Sequence, residues 1–120
     1  MHYQQTTIIL QQLQDALKEL SLWQPEQPSP EALQSTQPFA VDTLDFHQWL
    51  QFIMIPRMQN MVDKQQPLPT SIAISPMAVQ VYKDSLDTHH ELIRILRKLD
   101  ILLSDQDPLA GDQDLGDDSR

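Results

Sequence analysis

Thr88-His89-His90-Glu91-Leu92-Ile93-Arg94-Ile95-Leu96-Arg97-Lys98-Leu99-Asp100-Ile101-Leu102-Leu103 is the stretch that decides the fold. Leu92, Ile95, Leu96, Leu99, Leu102 and Leu103 recur at the three- and four-residue steps of a helix buried along one side. Arg94, Arg97 and Lys98 fall on the opposite side, and the later cations suit the negative end of the helix dipole. Thr88 and Glu91 have the spacing of a capping box, in which each end satisfies the other's free amide. A helix with so distinct a stripe needs partners, and the chain upstream supplies them.

Working back, Ser75-Pro76 has the form of a cap followed by a first helical residue. It predicts a short helix through Met77, Val79, Val81 and Tyr82. Ile72 and Ile74 alternate weakly just before it, but a strand there would have no second strand to pair with. Pro67 and Pro69 mark a turn. Before them, Asp42-Thr43-Leu44-Asp45 opens a helix running to about Asp63. Phe46, Trp49, Leu50 and Ile53 share one face of it, while Ile55, Met58 and Val62 share another. A helix apolar on two sides is the one buried between neighbours. Pro56 lies inside it and is expected to free the carbonyl of Phe52 and kink the axis.

Residues 7–23 form the remaining amphipathic pattern, through Ile9, Leu13, Ala16, Leu20 and Trp23, with Pro25 as the expected stop. Between this helix and the next lie residues 24–41, rich in proline and glutamine. A connection this long is functional, packed as its own unit, or disordered. Ser29-Pro30-Glu31 is suited to start one turn, and Leu33, Phe39 and Val41 are its apolar anchors. The reading is therefore all-α: a four-helix up-and-down bundle over residues 1–104, with a long Pro/Gln-rich first loop and a disordered Asp-rich tail over 105–120. If the tail docks instead, Arg94, Arg97 and Lys98 are where it would do so.

Charge and composition exclude several functions. The 120 residues carry a formal net charge of −9 and include no cysteine. Disulfides, thiolate metal sites and cysteine nucleophiles are thereby absent. Six aspartates and Arg120 give residues 105–120 a charge of −5, leaving −4 on the body. A body without net positive charge releases few counterions from a phosphate backbone, so direct nucleic-acid binding is not expected. The longest apolar run, Phe52–Pro56, is too short to span a membrane. Met1-His2-Tyr3-Gln4-Gln5 lacks the basic and apolar regions of a signal peptide. A cytoplasmic location is expected.

No catalytic set emerges. The first glycine is residue 111, so no phosphate-cradling loop precedes it. His89 and His90 are neighbours whose side chains point about 100° apart, unlike the i,i+4 pairs that hold metals. Asp84 and Asp87 flank a helix junction and read as solvated or capping. The chain is expected to need no metal or cofactor and not to be an enzyme.

Arg57 is the only lysine or arginine between Lys18 and Lys64. By helical phase it falls near the face of Trp49, Leu50 and Ile53, where a buried charge needs a partner. Asp42, Asp45 or Glu91 would serve. A structural ion pair is the expected role, against an anion site or a side chain turned outward beyond Pro56. Met54, Met58 and Met61 form a stripe that reads as core filling or as an adaptable groove. Arg57, Trp49, Met54, Met58, Met61 and Phe39 are the candidate ligand or partner site.

Ser35-Thr36-Gln37-Pro38-Phe39 with Asp42-Thr43, then Trp49-Leu50-Gln51 with Ile55-Pro56-Arg57-Met58, then Gln66-Pro67-Leu68-Pro69 follow in an order and spacing that resembles the YqcC-like family of small bacterial proteins. The likeness covers about residues 10–104. It implies an α-helical up-and-down bundle and little about activity. The family is associated, by gene neighbourhood and by inherited name, with a tRNA pseudouridine synthase. This chain is too short to be that enzyme and has no stretch like its catalytic aspartate motif, and the Asp-rich tail lies outside the family pattern. The expected function is a non-catalytic accessory module with a protein partner. The alternative is a binder of a small anionic or apolar ligand near Arg57 and Trp49.

Overall fold

The computed structural model describes residues 2–109. Among them there is no strand, and the chain is all-α, as the apolar periodicity requires. No described helix is long and apolar enough to cross a membrane. The chain divides into two compact units, Tyr3–Pro67 and the stretch from Leu68 onward together with the first two residues.

In the N-terminal unit, α1 (Tyr3–Glu19) buries Ile9, Leu10, Leu13, Ala16 and Leu17, and Leu13 and Leu17 are fully enclosed. It starts and ends four residues earlier than the pattern predicts. Its end is set by Ser21, which adopts φ 61°. The Leu22 amide then donates to the Leu17 carbonyl at 2.8 Å and the Ser21 amide to Lys18 at 3.0 Å. This reverse turn satisfies the last carbonyls before Pro25 can act. Trp23 leaves the helix half-buried, with the Lys18 ammonium 5.4 Å from its ring centre.

The Pro/Gln stretch is packed as its own structure. Ser29 accepts the Ala32 amide at 3.2 Å and caps α2 (Pro30–Leu33), as Ser-Pro predicts. Thr43 donates to the Ala32 carbonyl at 2.7 Å, and Ser35 donates to the Asp42 carboxylate at 2.5 Å. A 3₁₀ turn, Pro38–Ala40, places Phe39 at φ 57°. Val41 is exposed rather than an anchor; Ala40 and Leu44 are buried instead.

The second long helix is continuous but not uniform. It comprises α3 (Phe46–Trp49), a π-helical segment (Leu50–Met54) and α4 (Ile55–Asp63), which packs against α1. Gln48 accepts the Asp45 amide at 2.7 Å and fixes the start. The Ile55 amide donates to Leu50, five residues back. Pro56 has no amide to offer Phe52, and the wider turn accommodates that break. The π turn also adds a residue, which rotates everything beyond it. Met54, Ile55 and Met58 are buried as a result, and Ile53 is half-buried.

In the C-terminal unit, α5 (Ser75–Val81) packs on α6 (His90–Ser104). The buried stripe of α6 is Leu92, Ile95, Leu96, Leu99 and Leu103, with Asp100 among them. The expected capping box is not formed. His89 is the N-cap without a side-chain bond, and Glu91 turns to Arg94. Residues 105–109 are ordered, contrary to the tail's expected disorder from its first residue. Asp105 takes φ 57° with its amide on Ile101 at 2.9 Å, and Leu109 is buried. The rest of the predicted tail, 110–120, lies outside the described residues.

Candidate interaction surface

Residues 72–74 lead into α5 without regular structure, and side chains of α6 satisfy the backbone of Ile72, Ile74 and Ser75. The Ser104 hydroxyl accepts the Ile72 amide and donates to the Ile72 carbonyl, each at 2.8 Å. Asp100 accepts the Ile74 amide on both oxygens at 2.9 and 3.0 Å. Its Oδ2 also takes the Ser75 amide at 2.8 Å and the Ser75 hydroxyl at 2.7 Å. Asp100 is wholly buried. The charge is tolerable because three donors face it, two of them backbone amides at the start of α5. Ser75 is thus part of the helix that Asp100 caps, rather than its own cap. The sequence does carry a signal for Asp100: it follows Leu92 by eight residues and Leu96 by four, a carboxylate on the apolar stripe.

Beyond this latch, a groove of about 380 Å³ opens along α6, lined by Val79, Leu86, His90, Ile93, Arg94 and Arg97, with Leu109 at its wall. His90, Arg94 and Arg97 lie at i, i+4 and i+7 and so share one side. Glu91 accepts from Arg94 Nε at 3.0 Å, an exposed pair. Arg97 is bound across ten residues to Asp107, whose two oxygens each lie 3.0 Å from Nε while Nη2 closes on one of them. The Arg97 hydrogen bonds hold the Asp107 carboxyl below its ordinary range. Asp107 also accepts the Leu109 amide at 3.0 Å and turns that residue into the groove wall. Leu86 on the opposite rim is 42 % exposed.

The residues singled out from the sequence do not form one site. Phe39 meets Trp49 edge-on at 4.8 Å, and Phe46 stacks on Trp49 at 6.2 Å. Trp49 is half-buried in this aromatic cluster, not the enclosed core residue expected. Met54 and Met58 are core, and Met61 is half-buried. Arg57 is exposed and has no ion-pair partner among the described residues. The expected structural ion pair is corrected: the phase that put Arg57 near the core was carried across a π turn that shifts it. His89 stacks on Tyr82 with centroids 3.9 Å apart, and its Nδ1 lies 2.9 Å from the Ser85 carbonyl. The Ser85 hydroxyl lies 3.1 Å from the same nitrogen.

Helical units pinned by buried polar side chains, with an arginine-lined groove on one of them, define a small all-α protein. Residues 5–102 match the DUF446 family, described as "tRNA pseudouridine synthase C", and the chain belongs to that family. It is 39% identical over 100 residues to the uncharacterized protein YqcC of Escherichia coli strain K12, spanning 80% of this chain and 88% of that one. With an uncharacterized protein of Haemophilus influenzae it shares 42% over 80 residues, 67% of this chain and 76% of the other. The solution structure of E. coli YqcC superimposes with a TM-score of 0.77 at 34% identity, covering 86% of this chain and 88% of that one. A Pectobacterium carotovorum protein named tRNA pseudouridine synthase C is 41% identical over 59 residues, which is 49% of this chain and only 16% of that protein.

Proposed function

We propose that the chain is a non-catalytic accessory module whose partner is a tRNA pseudouridine synthase. One observation carries this reading. A segment like about half of this chain occupies a small part of a much longer protein that bears the synthase's name. Joining two segments covalently holds them at high effective concentration. Where they are separate chains, binding must do the same work. The geometry supports a surface rather than a reaction centre. The buried Ser–carboxylate pair, Ser75 with Asp100, is enclosed and committed to backbone amides. The pocket alternative at Arg57 and Trp49 loses its charged wall, since Arg57 is exposed.

The test is size-exclusion chromatography of the purified chain mixed with the tRNA pseudouridine synthase of the same organism. A co-eluting complex at micromolar concentrations is expected. Independent elution at about 50 μM of each would overturn the reading, because a functional accessory contact of ordinary interface size binds more tightly than that.

A further inference from the structure

The groove along α6 already holds a ligand, and that ligand is part of the chain itself. Asp107 engages the Arg97 fork through both oxygens, and Leu109, two residues on, is buried at the groove wall. The αL turn at Asp105, with its amide on the Ile101 carbonyl, also holds the start of the segment after α6. The Arg97 side chain is 38 % exposed and Arg94 48 %, so water competes for these pairs. Beside Leu109 the groove continues over Ile93, Val79 and Leu86 and remains open, with Arg94 and His90 on its rim. The surface therefore offers a planar cation for a carboxylate and, next to it, an apolar seat.

We infer that this groove is the docking site for a short acidic segment of a partner protein, of the form Asp-x-Leu, and that Asp107–Leu109 is a cis plug which such a segment displaces. The charge complementarity of Arg97 and the seated Leu109 define that occupant. An incoming carboxylate takes the guanidinium that Asp107 vacates, and an incoming leucine takes the apolar seat. The inference rests on the reading of the chain as an interaction module, but not on the synthase being its partner. A cis plug lowers the apparent affinity for the same ligand in trans by the fraction of time the site is open.

Fluorescence anisotropy with a labelled synthetic Asp-Gln-Asp-Pro-Leu peptide tests this on the full-length chain. The double variant Asp107→Asn, Leu109→Ser opens the site and is expected to bind the peptide about tenfold more tightly than wild type. Adding Arg97→Gln, with folding checked by circular dichroism, should abolish that gain. Equal binding by the opened variant and wild type overturns the inference. So does tighter binding of a uridine oligonucleotide than of the peptide to the opened variant, which would make the arginines a phosphate site. The synthase mixed with Arg97→Gln separates the two proposals. If the synthase binds wild type and Arg97→Gln equally, the accessory reading stands and this docking site falls. If the synthase binds neither while the peptide binds the opened variant, the reverse holds.

Discussion

The two units solve one problem with opposite chemistries. In each, irregular backbone lies against a helix, and a buried side chain completes its hydrogen bonds. In the N-terminal unit that side chain is Gln51, whose amide accepts the Gln24 N–H at 2.8 Å and donates to the Gln24 carbonyl at 2.7 Å. In the C-terminal unit it is Asp100, which only accepts. A neutral amide suits a stretch that presents both donor and acceptor. A carboxylate suits a helix start, where donors are in excess. Buried polar residues on an apolar face are thus informative about their neighbours' backbone, not only about themselves.

The contrast is sharpest on removal. Asp100→Ala leaves three buried donors unpaired and empties a fully enclosed position, and should cost about 3–5 kcal/mol in urea denaturation. Gln51→Ala should cost about 1–3 kcal/mol, since two neutral bonds are lost at a site close to the surface. Comparable losses for the two would dissolve the distinction drawn here. Asp100→Asn should fall between, because the amide keeps one acceptor and brings a donor to a place crowded with donors.

The helix pattern, the Ser29-Pro30 turn and the packed apolar part of the Pro/Gln stretch are legible in the sequence because each depends on local spacing. The π turn is not, because its cause at Pro56 is visible but the extra residue is a choice between two ways of absorbing the lost amide. That one choice moved Arg57 from the core face to solvent. The end of α1 is hidden for a related reason. Ser21 stands in the left-handed position that glycine usually marks, and the chain has no glycine before residue 111. Of the site, the arginine side of α6 is readable from its periodicity. The long-range pairing of Arg97 with Asp107 is readable only as the alternative of a docked tail, because acidic composition favours disorder without regard to what it can bind.

Three smaller effects follow the same division between units. Gln65 has φ 53° at the end of α4, where its own amide bonds Val62 and the next amide bonds Met61. Gln65→Gly should therefore raise stability by about 0.5–1 kcal/mol, read as a shift in the denaturation midpoint. In the C-terminal unit, the Asp107 carboxyl is depressed by Arg97, so its contribution is complete at neutral pH and is lost as pH falls through the folded value. The signals of Leu109 should become mobile only at pH below the ordinary aspartate range, at a cost to global stability of about 1 kcal/mol or less. Loss of Leu109 order at neutral pH would remove the plug. Arg57→Ala should change stability by less than about 0.5 kcal/mol, and a larger loss would restore it to a structural role.

The most direct measurement is an amide-detected NMR titration of the isotopically labelled chain with unlabelled synthase. Shifts or broadening are expected at His90, Ile93, Arg94 and Arg97, together with release of Leu109, while Phe39, Trp49 and Arg57 stay unchanged. Perturbations confined to the N-terminal unit, or none at saturating synthase, would contradict the account.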